Sequence, residues 1–196
     1  MIDNMRLLIV SICLLWTGLT VSAQKVALKT NLVYDVTTTM NIATEVKVAP
    51  KWTVDISGDL NVWTFSDNKK WKHWKLQPEA RYWLCESFNG HFIGAHLLGG
   101  IYNMGNWNTG FTFLGTDFGQ LKDHRYEGWM VGAGIAYGYH WMLGRHWSME
   151  AEIGLGYVYS RADKYECPRC GDQLENNEPH HYVGPTKVAV NLIYVF

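Results

Sequence analysis

Apolar and polar side chains alternate through most of this chain with a period of two, the pattern of strands that bury one face only. The cleanest run sets Trp52, Val54, Ile56, Leu60 and Val62 against Thr53, Asp55, Ser57, Asp59 and Asn61. Comparable runs cover Val26 to Tyr34, Asn41 to Val48, Trp74 to Leu84, Trp129 to Trp141, Trp147 to Tyr159 and Val188 to Phe196. A further run, His91 to Tyr102, is so rich in glycine that the sequence does not distinguish its two faces. The count is about eight strands of roughly ten residues, the length a tilted strand needs to cross a bilayer. No sustained helical period appears after the N-terminal segment.

The connections are of two kinds. Ala49 to Lys51, Glu86 to Gly90 and Leu143 to His146 are short, whereas Trp63 to His73, Asn103 to His124 and Arg161 to His181 are long. Asp35 to Met40 is a short connection on the long-loop side. Short turns at one end and long loops at the other predict an all-β fold, an eight-stranded antiparallel up-and-down transmembrane β-barrel with both termini at the short-turn end. The strand that ends on Phe196 is expected to close the sheet by pairing with the first, leaving no free edge. A secreted soluble barrel has the same alternation but carries its large apolar residues inside. The terminal Phe and the Trp and Tyr residues at strand ends favour the membrane form.

Composition sharpens this reading. Ten Trp and eleven Tyr are heavy usage for 196 residues, and a membrane barrel places such residues in two interfacial girdles. Charged residues make up 18%, below the usual quarter or so of a soluble domain. A net charge of -1 offers no basic surface for nucleic acid. The first residues form a short basic head, an apolar run from Leu7 to Leu19 and a small-residue site at Val21-Ser22-Ala23. That order is a cleaved export signal over residues 1–23, leaving 24–196 as one barrel domain in the outer membrane of a Gram-negative bacterium. The expected surroundings are outer-membrane lipid and lipopolysaccharide, and the expected state is a monomer.

If the apolar faces meet lipid, the polar faces meet inside. They bring together Lys29, Glu45, Asp55, Asp59, Glu79, Arg81, Glu150, Glu152 and Lys187, with Lys47 and Lys75 on the same faces. Eight strands enclose a space that side chains just fill, and buried charges are costly unless paired. The interior is therefore expected to be an ion network that plugs the barrel, with no cofactor and no open channel.

Three segments carry candidate chemistry. Cys167 and Cys170 form a Cys-x-x-Cys pair in a long loop, read first as a local disulfide. A metal knuckle completed by His180 and His181 is the minority reading, because adjacent histidines lack the usual His-x₃₋₅-His spacing. His146, Ser148 and Glu150 supply the residue types of an activated nucleophile, as in a lipid-modifying barrel enzyme of the lipid A deacylase or phospholipase type. His146 belongs to a short turn, at the end away from the outer leaflet, so a structural protein is the leading reading. Trp71, Lys72 and His73 in one long loop, and Trp107 in the next, are candidates for external contacts through stacking and cation–π interactions.

The blocks Lys29 to Thr39, Trp63 to Trp74 and Gln77 to Trp83 resemble an uncharacterised domain-of-unknown-function family of small outer-membrane barrels. The likeness covers essentially all of the chain after the export signal. The resemblance implies a surface or fimbria-associated membrane protein, because such barrels are often encoded near fimbrial subunit genes. It implies a fimbrial or surface protein as partner and supplies no catalytic residues. Some members continue into a C-terminal peptidoglycan-binding domain; a chain that stops at Phe196 is expected to lack it.

Overall fold

The computed structural model describes residues 26–65, 69–106, 112–113, 116–117, 124–166, 171 and 173–196. The strands are β1 (Val26–Asn31), β2 (Met40–Ala49), β3 (Trp52–Asn61), β4 (Lys70–Trp83), β5 (Gly90–Gly105), β8 (Arg125–Met142), β9 (Trp147–Tyr165) and β10 (Gln173–Val195), with a helical turn α1 (Leu32–Val36) after β1. Two-residue strands β6 (Thr112–Phe113) and β7 (Thr116–Asp117) pair with each other between β5 and β8. The eight main strands form one antiparallel sheet in the order β1-β10-β9-β8-β5-β4-β3-β2, which closes in a ring. Closure is the pairing expected of the last strand: Ala27 faces Val195, Asn31 faces Asn191, and the Phe196 N–H donates to the Val26 carbonyl at 2.9 Å.

Polarity is inverted relative to a soluble protein. Every strand presents an apolar residue outward, among them Leu28, Ile42, Ile56, Leu76, Leu97, Ile135, Leu155 and Val188. The opposite faces bury Lys29, Glu45, Asp55, Glu79, Arg81, His140, Glu150 and Lys187 inside the ring. The same alternation assigns β5, which the sequence left open: Phe92, His96 and Leu98 are buried, whereas Ile93 and Leu97 are exposed.

The strands are longer than their alternation suggested on the long-loop side. β9 reaches Tyr165 and β10 begins at Gln173, so most of the expected Arg161 to His181 loop is paired strand. Likewise β4 begins at Lys70, which puts Trp71, Lys72 and His73 on a strand and not in a loop. From β4 to β10 the wall is tall; β1 to β3 make a low wall of six to ten residues each. The upper β10 edge is thus left without a ladder partner on the β1 side, among the described residues. Pro179 and Pro185, the latter at a register shift, blunt that edge by removing donors.

β1 was expected to continue to Tyr34 but stops at Asn31. The Asn31 side chain there takes the place of a peptide group: its Nδ2 donates to the Val188 carbonyl at 3.2 Å and its Oδ1 accepts from Val190 N–H at 3.2 Å. The same Oδ1 accepts from Val33 N–H at 3.1 Å and so caps α1. On the other side Asn41 Oδ1 accepts the Asn31 N–H at 2.6 Å and Asn41 Nδ2 donates to Asp35 at 2.7 Å. One amide side chain bonds to β10 and the other to β1, and the helical turn fits between them. Replacing Asn31 by Ala should lower the free energy of unfolding by about 2–3 kcal/mol, since three hydrogen bonds are lost and half-buried backbone groups are left unpaired. Equilibrium urea unfolding of the purified protein measures this, and an unchanged midpoint would remove the latch.

Candidate functional site

The interior is layered along the ring axis. At the short-turn end Trp83, Phe88, Phe92, Ile193 and Ala27 form an apolar cluster. Trp83 packs on Phe92 with ring centroids 4.9 Å apart and donates its indole N–H to Thr53 Oγ1 at 2.9 Å. Phe88 reaches this cluster from the turn between β4 and β5 by adopting φ 66°. That left-handed conformation costs a non-glycine residue on the order of 1–2 kcal/mol, and burial of its ring offsets the cost. Gly138 is needed opposite, because a Cβ there would overlap the Phe92 ring.

Above the aromatics stands Arg81, fully buried, with its guanidinium over the Phe92 ring at 4.5 Å. Its Nε donates to Glu79 at 2.6 Å, Nη1 to Glu45 at 2.9 Å and to Glu150 at 3.1 Å, and Nη2 to Glu152 at 2.7 Å. Asp55 lies 4.0 Å away. Lys29 joins the group from β1, paired with Glu45 and 3.3 Å from both Asp55 and Glu150. Lys187 joins from β10, 2.9 Å from Glu79 and 3.2 Å from Glu152. Asn191 adds a neutral donor to Glu150 at 2.9 Å. Arg81, Lys29 and Lys187 thus meet five carboxylates, and His140 and His96 stand beside two of those, 3.5 Å from Glu150 and 3.6 Å from Glu79. His96 also bonds Thr186 Oγ1 at 2.8 Å and lies flat against the wall, where Gly134 leaves room for its ring.

The ninth residue assigned to the interior, Asp59, belongs to a separate upper cluster. It lies 3.3 Å from His73 and 3.4 Å from Lys75, and Lys75 donates to the Tyr34 hydroxyl at 2.7 Å. Tyr34, expected on the same face as Val26 and Leu28, is instead directed inward by α1. A cavity of about 30 Å³ separates the two clusters, lined by Asp55, Asp59, Gln77, Lys187 and Asn191. That is room for about one water; Gln77 Nε2 is buried without a hydrogen-bond partner, and Asp55 Oδ2 and Asp59 Oδ1 have only their charge contacts with Lys29 and His73. Together the layers fill the ring.

The other candidates are distributed. His146 lies in a short turn, with its ring stacked on Tyr194 and Nδ1 3.0 Å from the Val195 carbonyl. Ser148 is buried on the inner face and Glu150 is held by Arg81 and Lys29, so the structure does not assemble His146, Ser148 and Glu150 into a nucleophile with its base. His180 and His181 are successive residues of β10 and point to opposite faces; His181 Nδ1 pairs with the Tyr157 hydroxyl at 2.5 Å. Cys167, Cys170, Trp107 and the expected export signal at residues 1–23 lie outside the described residues. His73 faces inward to Asp59, with the Trp71 ring 6.3 Å from it, while Lys72 takes the outward register.

An all-β chain whose eight up-and-down strands close around paired charges defines a structural class and not a chemistry. Within it the family is clear: the chain belongs to DUF3575, proteins of unknown function, matched over residues 9–196. Among curated proteins and among solved structures, nothing matches the chain.

Arg81 is the test of the interior. Arg81→Met leaves five carboxylates around an uncharged side chain, and loss of one partner from a buried ion cluster costs about 3–5 kcal/mol. The variant should fail to refold or unfold at much lower urea, whereas Arg81→Lys, which keeps the charge but loses the fork, should fall between. Equal stability of all three proteins would show that the cluster does not hold the ring together.

Proposed function

We propose that this chain is an outer-membrane β-barrel with a plugged interior, acting as a structural or surface-interaction protein through its outer wall and the outer ends of its strands. The observation that carries the reading is the inverted polarity. Burying five carboxylates while exposing Leu97 and Ile135 by 61% and 69% makes no sense against water, and is the arrangement favoured against hydrocarbon. Aromatic residues support it in two tiers. Trp52 and Tyr82, Tyr139 and Trp141, and Trp147 and Tyr194 pair near the short turns, and Trp129 with Tyr159 at the other end. Tyr139 and Trp129 are ten residues apart on one strand, about 33 Å of strand and about 25 Å of height at a tilt of roughly 40°. That height matches the apolar band of an outer-membrane barrel.

A plugged interior argues for contacts outside it, in keeping with the fimbrial or surface partner that the sequence resemblance implies. A lipid-modifying enzyme would need His146 and Ser148 in contact near the outer leaflet. His146 instead stacks on Tyr194 at the short-turn end, so no observation favours that alternative.

Placing a charge on the outward band tests the reading. Ile135→Arg near mid-height should cost about 2–4 kcal/mol of membrane stability and reduce the folded protein recovered in outer-membrane fractions, whereas Ser57→Arg on the inner face should fail through the plug even in detergent. Wild-type protein recovered folded in the soluble periplasmic fraction would overturn the proposal.

A further inference from the structure

The central cluster is short of positive charge. Its five carboxyl groups, on Glu45, Asp55, Glu79, Glu150 and Glu152, belong to residues at most 4% exposed, and the lysine and arginine side chains that touch them are Lys29, Arg81 and Lys187. Were all five ionised, two negative charges would lack a counterpart in a space closed below by Trp83, Phe88 and Phe92, where an unpartnered charge is strongly disfavoured. The crowding is plain at Glu79 and Glu152. Arg81 Nε reaches Glu79 Oε1 at 2.6 Å and its Nη2 reaches Glu152 Oε2 at 2.7 Å. Lys187 Nζ stands between the same two groups, 2.9 Å from Glu79 Oε2 and 3.2 Å from Glu152 Oε2. The two carboxyls also hydrogen-bond to each other. Such a bond needs a proton on one of them, because an ionised carboxylate only accepts. Glu152 has a free oxygen for it, since its Oε1 is buried without a donor, whereas both Glu79 oxygens already meet cations. Glu79 lies against bare β5 backbone at Gly94, where a Cβ would come within 2.6 Å of its Oε1.

We propose that Glu79 and Glu152 bind one proton between them, which makes the plug a proton-binding site and the closed ring sensitive to its loss. The Glu152 carboxyl donates to Glu79, and Arg81 and Lys187 then hold a pair bearing one negative charge in place of two. The charged and titratable groups around the pair come from every strand of the ring. They are Arg81 on β4, Lys187 on β10, His96 on β5 and Asp55 on β3, with Glu45, Glu150, Lys29 and His140 beyond the guanidinium on β2, β9, β1 and β8. Without the proton, two carboxylates oppose each other across the interior between β4 and β9. In the unfolded chain a glutamate gives up its proton near about pH 4.3. At neutral pH folding therefore takes up a proton, and stability falls as pH rises from there. The ionised partners of Arg81 and Lys29 have the opposite sign, since they lose stability on the acid side.

The test uses the full chain folded in detergent, with closure of the sheet read from its heat-dependent gel shift. Infrared spectra at neutral pH should show the C=O band of a protonated carboxyl in wild-type protein. The band should vanish in Glu152→Gln, whose amide N–H takes over as donor to Glu79, and persist in Glu45→Gln, which changes the other glutamate whose Oε1 lacks a donor. Urea unfolding from neutral pH upward supplies the second readout. While the proton is retained, the wild-type unfolding constant should rise about tenfold more per pH unit than that of Glu152→Gln. Absence of the band from wild-type protein would overturn the proposal even if the variant fails to fold. So would survival of the band in a folded Glu152→Gln, or the same pH dependence in that variant and in wild type.

Discussion

The central ion cluster of the ring is arranged around one guanidinium. Arg81 contacts carboxylates from β2, β4 and β9 and lies 4.0 Å from one on β3, and Lys29 and Lys187 extend the pairing to β1 and β10. Side chains in a strand alternate faces, so a slip of one residue in any of these strands would carry its charge to the outer wall and strand its partner inside. The penalty for an unpaired buried charge is several kcal/mol, far larger than the gain from any single outward apolar contact. The charge cluster therefore specifies register as well as filling space. It is a device for uniqueness, set in a sheet whose outer face alone would tolerate sliding.

The same cluster explains why glycine recurs on the inner wall. Phe92 and His96 are too large to stand side by side with Arg81 unless the facing strand recedes, and Gly138 and Gly134 let it do so. The short-turn end is closed by rings, the middle by ions and the upper end by Tyr34 and Lys75. The uneven height of the wall follows from where strands can afford to end. β1 stops early because two asparagine amides satisfy the backbone groups that a longer strand would have bonded, whereas β8 and β9 stay paired as far as Arg125 and Tyr165. The tall side carries Lys70, Lys72 and Arg125 and the low side is sealed by α1.

The sequence made the outer architecture readable because alternation is a local signal. Trp52 to Asn61 shows its facing without help, and the nine residues assigned to the interior follow from the same parity. Trp83 was also within reach, since it continues the register of Glu79 and Arg81, but an aromatic residue on a polar face has no signal of its own. The end of β1 was not legible. Leu32 and Tyr34 keep the alternation going through a helical turn, and only the pairing of Asn31 with Asn41 and Val188, residues far apart in the chain, stops it. Strand length beyond the Trp belt escaped notice for a similar reason. Lys70 to His73 and Arg161 to Tyr165 are polar or mixed on both faces, so periodicity fades while the ladder continues.

A filled interior limits what such a protein can do. With the charges at its centre committed to one another, Glu150 and Glu152 are not free to act as acid and base, and Ser148 faces the plug with its neighbour His146 outside it. Catalysis at that site would require breaking the contacts that hold β9 to β1 and β4. Recognition on the outer wall requires nothing of the kind, since Lys72, Trp74, Trp129 and Arg125 can change partners without disturbing Arg81. Stability and the proposed surface contacts would then be carried by opposite faces of the same strands, which period-two alternation permits. Substitutions of Lys72, Trp74, Trp129 or Arg125 should accordingly leave the central ion cluster intact, while those on the inner face disrupt it whatever the outer surface binds.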